Sequence, residues 1–358
     1  MKPLLICIFL LVFGTSFADE DAPKTKVAPL FAENDVLNVT ITAPIGEIMR
    51  VRSLEEEMQG TFSYRDAETG EEVTLDIGIR TRGRFRHARE TCPFAPLRLN
   101  FHKTKGTLLA KSNKLKLVTH CRSKSGKYEQ TVLREYIAYR ILNAVTERSF
   151  RARLLRIRYV ESTNGKDVET SYGILLEHRK QLAKRIGMKV DNSTATNVLA
   201  LDGAYTNLVS VFQFLVGNTD FSPIKGQPDE RCCHNHVLFR DDNTQISVPY
   251  DFDLTGIVNA PHAKPHPRFN LSSVRQRRYR GRCINNEHLD ASFETFRNQR
   301  EAIYALIDNV EGLTNGTRKS VTRYVESFYK VIDSPRRVEG DILRDCLGPA
   351  SPAQASQR

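Results

Sequence analysis

Apolar and polar positions alternate along much of the first half of the chain. In "EEVTLDIGIRTRGRF" the alternation places Val73, Leu75, Ile77 and Ile79 on one face, and "PLRLNF" and "KLKLV" repeat the pattern. A period of two residues is that of a half-buried β-strand. The segment from about Ile48 to Phe101 is therefore predicted to form an antiparallel sheet.

A helical period follows these strands. The stretch "YEQTVLREYIAYRILNAV" spaces Leu133, Ile137, Ile141 and Val145 by four residues, which places them on one side of a helix. "RLLRIRYVE" and "SYGILLEH" then predict two further strands, with a turn at "TNGK". The first half is thus predicted to contain a sheet and one helix.

The second half has mainly helical patterns. "QLAKRIG" and the apolar "AYTNLVSVFQFLVGN" predict two helices, and helical periodicity returns over 290–346 with breaks near "GLTNGT" and "DSPRR". Between them "HVLFR" and "QISVP" predict a hairpin closed by "DDNT". The chain is predicted to be an α+β protein. Its predicted parts are a flexible lead-in (19–45), a strand-rich part (46–178), a helix-rich part (179–346) with a metal-binding hairpin at 234–253, and a disordered tail (347–358).

The N-terminus and the net charge bear on location and partners. "MKPLLICIFLLVFGTSFA", residues 1–18, has one basic residue, an apolar run and small residues at the end, which is typical of a secretory signal peptide. Its removal takes away Lys2 alone among the charged residues, so the net charge falls from +11 to +10. An exported protein, periplasmic or secreted, with a preference for anionic partners is predicted.

Six of the seven cysteines lie after the predicted signal peptide. An even number in an exported chain indicates disulfides. Cys92 and Cys121 are predicted to pair within the strand-rich part. Cys232 and Cys233 are each predicted to pair with Cys283 or Cys346, and the alternative is a zinc site at "CCHNH".

The predicted hairpin has polar residues at its open end. Asn235 precedes the first strand, and Asp251 follows the second by two residues. The hairpin would bring an amide oxygen and a carboxylate together, and such ligands suit Mg²⁺ bound jointly by protein and phosphates. Asp220 lies just upstream, in "GNTDFS" after the buried helix.

The order Asp, Asn, hairpin, Asp is the order in which protein kinases place the catalytic base and the two metal ligands. The run "GNTDFS…HN…VPYDFDLTGIV", together with "IRTRGRF", "KLKLV" and "LREYIAYRI", resembles the spore-coat protein H (CotH-type) kinases, an atypical branch of the protein-kinase-like fold. The resemblance covers roughly residues 73–258. It implies a two-lobed fold, with an antiparallel-sheet N-lobe carrying one helix and a mainly helical C-lobe containing the hairpin.

The resemblance also implies roles for individual residues. Asp220 would be the catalytic carboxylate, Asn235 and Asp251 the metal ligands, and Asp253 an additional metal ligand. The sequence departs from the kinase pattern at two points that bear on these roles. Asn235 comes fifteen positions after Asp220, so Asp229 is an alternative base, and "DFD" replaces the usual Asp-Phe-Gly.

Phosphate binding is implied for a second group of residues. Arg82 and Gly83 in "RTRGRF" would approach the phosphates of the nucleotide. Lys116 is the predicted phosphate-binding lysine with Glu135 as its partner, and Arg98 could take the place of Lys116.

The predicted function is that of an exported kinase-like phosphotransferase. It would use ATP or another nucleotide with Mg²⁺ or Mn²⁺ to phosphorylate a hydroxyl-bearing protein or glycan. The alternatives are an inactive binding module for an acidic glycan, lipid or protein, and a metal-dependent phosphoester hydrolase. The basic run Arg275–Arg282 could bind an acidic partner or be a solvated charge run, and nucleic acid is not an expected partner. Histidines at 234, 236, 262 and 266 could form a metal cluster or be exposed loop residues.

Overall fold

The computed structural model describes residues 27–228 and 231–349. The predicted signal peptide, the start of the predicted lead-in, Asp229 and residues 350–358 of the predicted tail lie outside the described residues. Within the described ranges, none of the helices has the length and apolar character that a membrane span requires.

Seven strands in the first part of the chain close into a barrel. They are β1 (Leu37–Ala43), β2 (Met58–Arg65), β3 (Glu72–Thr81), β4 (Leu97–Phe101), β5 (Lys114–Val118), β6 (Ala152–Glu161) and β7 (Asp167–Leu176). Around the barrel the order is β1, β2, β3, β4, β5, β7, β6. Neighbouring strands are antiparallel, with the exception of β1 and β6, which pair in parallel and close the barrel.

This closed mixed barrel overturns the predicted fold class. The prediction of a two-lobed protein-kinase-like fold with an antiparallel-sheet N-lobe is wrong, because β1 pairs with both β2 and β6 and leaves the sheet without an edge. The alternation of apolar residues fixes which face of a strand is buried, but it does not identify the strand's neighbours. The closing strand β1 lies within the predicted lead-in.

The interior of the barrel is filled by the apolar face of each strand. Leu75, Ile77 and Ile79 of β3 are buried there as the alternation predicts, and Val39 and Ile41 of β1 join the same core. The polar residues that alternate with these positions therefore lie on the outer face of the barrel.

Eight helices accompany the barrel in the described ranges. They are α1 (Ile45–Val51), α2 (Gly126–Val145), α3 (Arg179–Arg185), α4 (Gly203–Val216), α5 (Leu289–Asn298), α6 (Arg300–Asp308), α7 (Asn315–Ile332) and α8 (Pro335–Val338). The predicted apolar stripe of α2 is buried in a second core, which also contains α4 and the apolar faces of α5, α6 and α7. Helix α2 thus joins the barrel to the helical part of the protein.

A small sheet carries the predicted hairpin. Its strands are β8 (Lys189–Val190), β9 (His236–Arg240) and β10 (Gln245–Pro249), with β9 in the middle. The predicted strands and the turn at "DDNT" are confirmed, and Asp241 closes the turn by accepting hydrogen bonds from the backbone of Asn243 and Thr244.

Three disulfides are present in the described residues. Cys92–Cys121 confirms the prediction. The prediction for the other four cysteines is wrong, because Cys232 pairs with Cys233 and Cys283 pairs with Cys346. A β-bridge between Arg282 and Leu347 brings the latter two cysteines together. With both sulfurs bonded, Cys232 and Cys233 offer no thiolates for the alternative zinc site.

Candidate active site

The open end of the hairpin holds Asn235 and Asp251. His236 is opposite Pro249 in the register of β9 and β10, and just beyond this pair the Tyr250 N–H donates to the carbonyl of Asn235 at 2.9 Å. Asn235 therefore accepts the last cross-strand hydrogen bond, and Asp251 is the next residue after its donor. The sequence prediction that the hairpin brings these two positions to one end is confirmed.

Both residues have a left-handed backbone, with φ of 54° at Asn235 and 65° at Asp251. Asn and Asp tolerate this region better than other side chains with a Cβ atom, and such conformations concentrate at functional sites. The hydroxyl of the buried Tyr139 on α2 accepts the Asp251 N–H at 2.9 Å and fixes the second position.

Asp220 lies directly against Asn235. Helix α4 ends at Val216 and is capped by Gly217, which has φ of 67° and a position where an added Cβ would collide with the Tyr324 hydroxyl. The chain then turns so that the Asn235 amide donates to the Asp220 carbonyl at 2.6 Å and to Asp220 Oδ2 at 3.2 Å. The separation of fifteen positions in sequence therefore does not keep the two side chains apart.

The carboxylate of Asp220 is held in its ionised form. Burial alone would raise the pKa of Asp220, but the hydrogen bond and charge of His234, assisted by Asn235, lower it below its usual value. His234 Nε2 lies 2.9 Å from Asp220 Oδ1. Sequence reasoning listed His234 only as a possible metal ligand, and it lies fourteen positions after Asp220 in the chain.

The loop that carries Asp220 is fastened by Arg280 of the basic run. Its guanidinium donates to the carbonyls of Thr219 and Phe221, both at 2.8 Å. Arg277 of the same run donates to carbonyls of Leu215 and Tyr324. Both guanidinium groups are thus used within the protein, and the acidic-partner role of the run stays a prediction.

Asp251, Asp253 and Glu135 form a group of neighbouring carboxylates, and two of them, Asp253 and Glu135, pair with Arg86. One guanidinium nitrogen of Arg86 is 3.8 Å from Glu135 and 3.8 Å from Asp253. Burial and the neighbouring Asp251 raise the pKa of Asp253 to about 7, although Arg86 opposes the shift. Burial and Asp253 likewise raise the pKa of Glu135. A single arginine does not neutralise this group.

The types of donor at this site suit a divalent cation with oxygen ligands, although in the described parts of the chain no three carboxylates bring ligand oxygens within 4.8 Å of one another. The Asn235 amide nitrogen is directed at Asp220, which leaves the amide oxygen as the atom that could bind a metal. Asp251 and Asp253 add carboxylate oxygens, and Glu135 Oε1 is buried without a hydrogen-bond partner among the described residues. Excess negative charge with an amide oxygen beside it is the chemistry that Mg²⁺ and Mn²⁺ require.

In the structure Lys116 and Glu135 do not pair with each other as predicted. The charged partner of Glu135 is Arg86, whereas the Lys116 ammonium lies 3.9 Å over the ring of Tyr250. Sequence reasoning missed Arg86. It lies three residues beyond Gly83 in the same arginine-rich segment, and that segment was the available signal.

Lys116, Arg82 and Gly83 lie near the carboxylate group. Burial, followed by the charge of Arg82, lowers the pKa of Lys116 to about 7, and the charge of Asp251 opposes this shift. The Arg82 N–H donates to the carbonyl of Pro96 at 2.9 Å. Gly83 has φ of 96° with open space around its Cα, so its backbone conformation rather than crowding requires glycine.

Two other candidate histidines, His236 and His262, lie in different surroundings. His236 is buried, contacts Gln213 and Ser247, and burial lowers its pKa to about 3. His262 Nε2 is 4.0 Å from Asp253. His262 also lies near the sulfurs of Cys92 and Cys121, but their disulfide excludes metal binding by these thiols.

Comparisons with known proteins give a weak likeness to a solved structure. No protein-family model matches the sequence, and no curated protein matches it. The solved structure of a Helicobacter pylori proinflammatory kinase, CtkA, is similar over 69% of this chain and 92% of that chain, with 12% sequence identity and a TM-score of 0.39. A TM-score of this size does not establish a shared fold, so the function has to be inferred from the site itself.

Proposed function

We propose that this protein is a metal-dependent phosphotransferase. It moves the terminal phosphoryl group of a phosphoanhydride donor, which the resemblance to kinases implies to be ATP or another nucleotide, to a hydroxyl group of a protein or glycan. The observation that carries this proposal is the contact of the Asn235 amide with Asp220 at the end of a hairpin that also presents Asp251 and Asp253.

Asp220 is the residue proposed to act on the acceptor. Its lowered pKa keeps the carboxylate ionised at neutral pH, so it can accept a hydrogen bond from the acceptor hydroxyl. A weak base suffices, because phosphoryl transfer depends mainly on positioning and on neutralising charge, and the hydroxyl proton moves late. His234 and Asn235 hold the carboxylate in one orientation.

Asn235, Asp251 and Asp253 are the residues proposed to hold Mg²⁺ or Mn²⁺. When bound, the cation would neutralise charge on the phosphates. Lys116 and Arg82 are the residues proposed to bind the oxygens of the donor next to this group. Arg86 keeps Glu135 and Asp253 in position by pairing with both.

A transfer assay tests the proposal. Wild-type protein with labelled ATP, Mg²⁺ or Mn²⁺ and a mixture of protein and glycan acceptors is expected to give labelled product. Asp220→Asn and Asp251→Asn are expected to lower the rate by about 100-fold or more, because each removes a group that acts on the reacting atoms.

Asp242→Asn is the matched control. Asp242 is exposed in the turn at the far end of the same hairpin, so this variant has the same chemical change without contact with the site. Equal loss of activity in Asp242→Asn and Asp220→Asn would contradict the proposal. Phosphate release without transfer to any acceptor would favour the hydrolase alternative, and an inactive wild type that binds an acidic glycan would favour the binding module.

A further inference from the structure

A cavity of about 300 Å³ lies between the outer face of the barrel and the segment that follows β7. Its polar lining is mainly cationic and includes Arg98, Lys114, Lys116 and Arg179. The apolar lining residues are Phe150, Leu176, Val237 and Tyr250. Through Lys116 and Tyr250 the cavity adjoins the proposed metal ligand Asp251.

Strand pairing places the cationic side chains of β3, β4 and β5 next to each other. Arg98 of β4 is directly opposite Lys116 of β5 and directly opposite Arg80 of β3. Like charges at directly opposite positions destabilise a sheet. Burial and the charges of Arg80 and Arg82 lower the pKa of Arg98 accordingly. This row of cations therefore has a cost for folding that an anionic ligand would offset.

The protein supplies little negative charge to this cavity. Arg80 has Glu57 at 3.9 Å, but Arg98, Lys114 and Arg179 form no ion pair with a carboxylate in the described parts of the chain. Glu177 also lines the cavity, yet its carboxylate is bound by Arg185 at 2.8 Å and by the Arg151 N–H at 3.1 Å.

The segment after β7 has no backbone donor available at its first two residues. The Glu177 N–H donates to the Arg151 carbonyl at 2.9 Å, and the His178 N–H donates to Gln181 Oε1 at 3.1 Å. A buried nucleobase needs hydrogen-bond partners for its ring nitrogens, because unpaired polar atoms are costly. Around this segment the cavity is lined by cations and apolar side chains in place of such hydrogen-bond partners.

The cationic lining continues beyond this segment. A second cavity of about 890 Å³ shares Lys114, Glu177, His178 and Arg179 with the first, and Lys111 and Lys180 add to its lining. A ligand that extends from one cavity into the other would meet basic side chains along its length. A row of basic side chains of this length favours a ligand with negative charge at every unit.

We propose that the two adjoining cavities bind linear inorganic polyphosphate, and that this chain is the phosphoryl donor. The donor role rests on the proposed function. In the transfer, the bond between the terminal phosphorus and its bridging oxygen breaks, and a bond from that phosphorus to the acceptor hydroxyl oxygen forms. The bridging oxygen leaves with the electron pair on the shortened chain, and the hydroxyl proton passes to the Asp220 carboxylate.

Titration calorimetry with tripolyphosphate and ATP tests the ligand, because the two carry the same number of phosphates. With Mg²⁺ present, tripolyphosphate is expected to bind at least as tightly as ATP. The variant Arg98→Gln/Lys114→Gln/Arg179→Gln is expected to bind tripolyphosphate about 100-fold more weakly or worse, since loss of one charged hydrogen-bond partner costs about tenfold in affinity.

The control variant is Lys319→Gln/Arg323→Gln/Lys330→Gln. It makes the same change in net charge at exposed positions of α7. It is expected to bind tripolyphosphate within about threefold of wild type, because distant surface charges are screened at physiological salt. Equal weakening in both triple variants would mean that net charge alone attracts the anion, and it would overturn the proposal.

Two further results would also overturn it. ATP binding ten times more tightly than tripolyphosphate would show that the base is recognised, and a heparin fragment displacing tripolyphosphate at lower concentration would assign the surface to an acidic glycan. Failure of the proposed function gives a different result from failure of the polyphosphate proposal. In that case tripolyphosphate binds as expected, but wild type and Asp220→Asn are equally inactive in transfer.

Discussion

The side-chain amide of Asn235 donates to both the carbonyl and a carboxylate oxygen of Asp220, fifteen residues earlier in the chain. One residue thus fixes the orientation of the proposed acceptor-binding carboxylate, and its amide oxygen is the atom proposed to bind the metal. The two halves of the site are coupled through this side chain.

Asn235→Gly tests this coupling. Glycine adopts the observed φ of 54° without strain, so the variant removes the amide and keeps the backbone. Transfer activity is expected to fall by about 100-fold, as for loss of a single preorganised hydrogen-bond donor, while the melting temperature changes little. Asn235→Ala should be equally inactive and about 1 kcal/mol less stable than Asn235→Gly, because alanine disfavours the left-handed region. Equal thermal stability of the two variants would contradict this account.

Arg86 is expected to be essential for stability as well as for the site. Arg86→Gln leaves the buried Glu135 and Asp253 without their shared cation, and the expected loss is about 3 kcal/mol in the free energy of unfolding. Denaturant unfolding measures this loss. Arg86→Gln/Glu135→Gln should recover part of it, because the second change removes a buried charge that has lost its partner. A double variant less stable than Arg86→Gln would refute the pairing.

Lys116 is expected to make anion binding depend on pH. Its ammonium has a pKa of about 7, so the fraction of charged Lys116, and with it the affinity for tripolyphosphate or ATP, should fall as the pH rises through 7. In Lys116→Arg the guanidinium stays charged, and this part of the dependence should disappear. Calorimetry at pH 6, 7 and 8 compares the two proteins, and ionisation of the phosphates affects both equally.

Lys116 is expected to affect stability in the opposite direction: anion affinity falls as the pH rises, but the free energy of unfolding increases. A lysine with a pKa of about 7 in the folded state and about 10.4 in the unfolded state makes the free energy of unfolding rise with pH between these values. Lys116→Met should therefore flatten the stability curve of the ligand-free protein in this window. An unchanged slope would show that Lys116 is not the titrating group.

The Cys283–Cys346 disulfide is expected to be a major source of stability. It joins residues separated by 63 positions, and chain entropy gives about 4 kcal/mol for closing a loop of this length. The variant Cys283→Ser/Cys346→Ser should unfold at lower denaturant concentration. Its transfer activity at low temperature should remain near that of wild type, because the bridge lies outside the proposed site. Loss of activity in a folded variant would contradict that placement.

Several elements could be predicted from the sequence because their signals are local. The alternation at Leu75, Ile77 and Ile79 marks a strand whichever strand lies beside it, and the four-residue spacing in α2 marks a helix. The hairpin around "DDNT" has turn chemistry that acts over a few residues. Its polar ends follow from strand geometry, and Asn235 and Asp251 could therefore be placed together in advance.

The tertiary structure alone decided what depends on contacts between distant parts of the chain. The parallel pairing of β1 with β6 closes the barrel, and no local pattern in either strand specifies it. The same holds for the contact of His234 with Asp220, for Arg86 rather than Lys116 as the partner of Glu135, and for the cysteine pairing. The sequence determined which residues carry the chemistry, and packing determined which of them meet, because charge and packing act through space rather than along the chain.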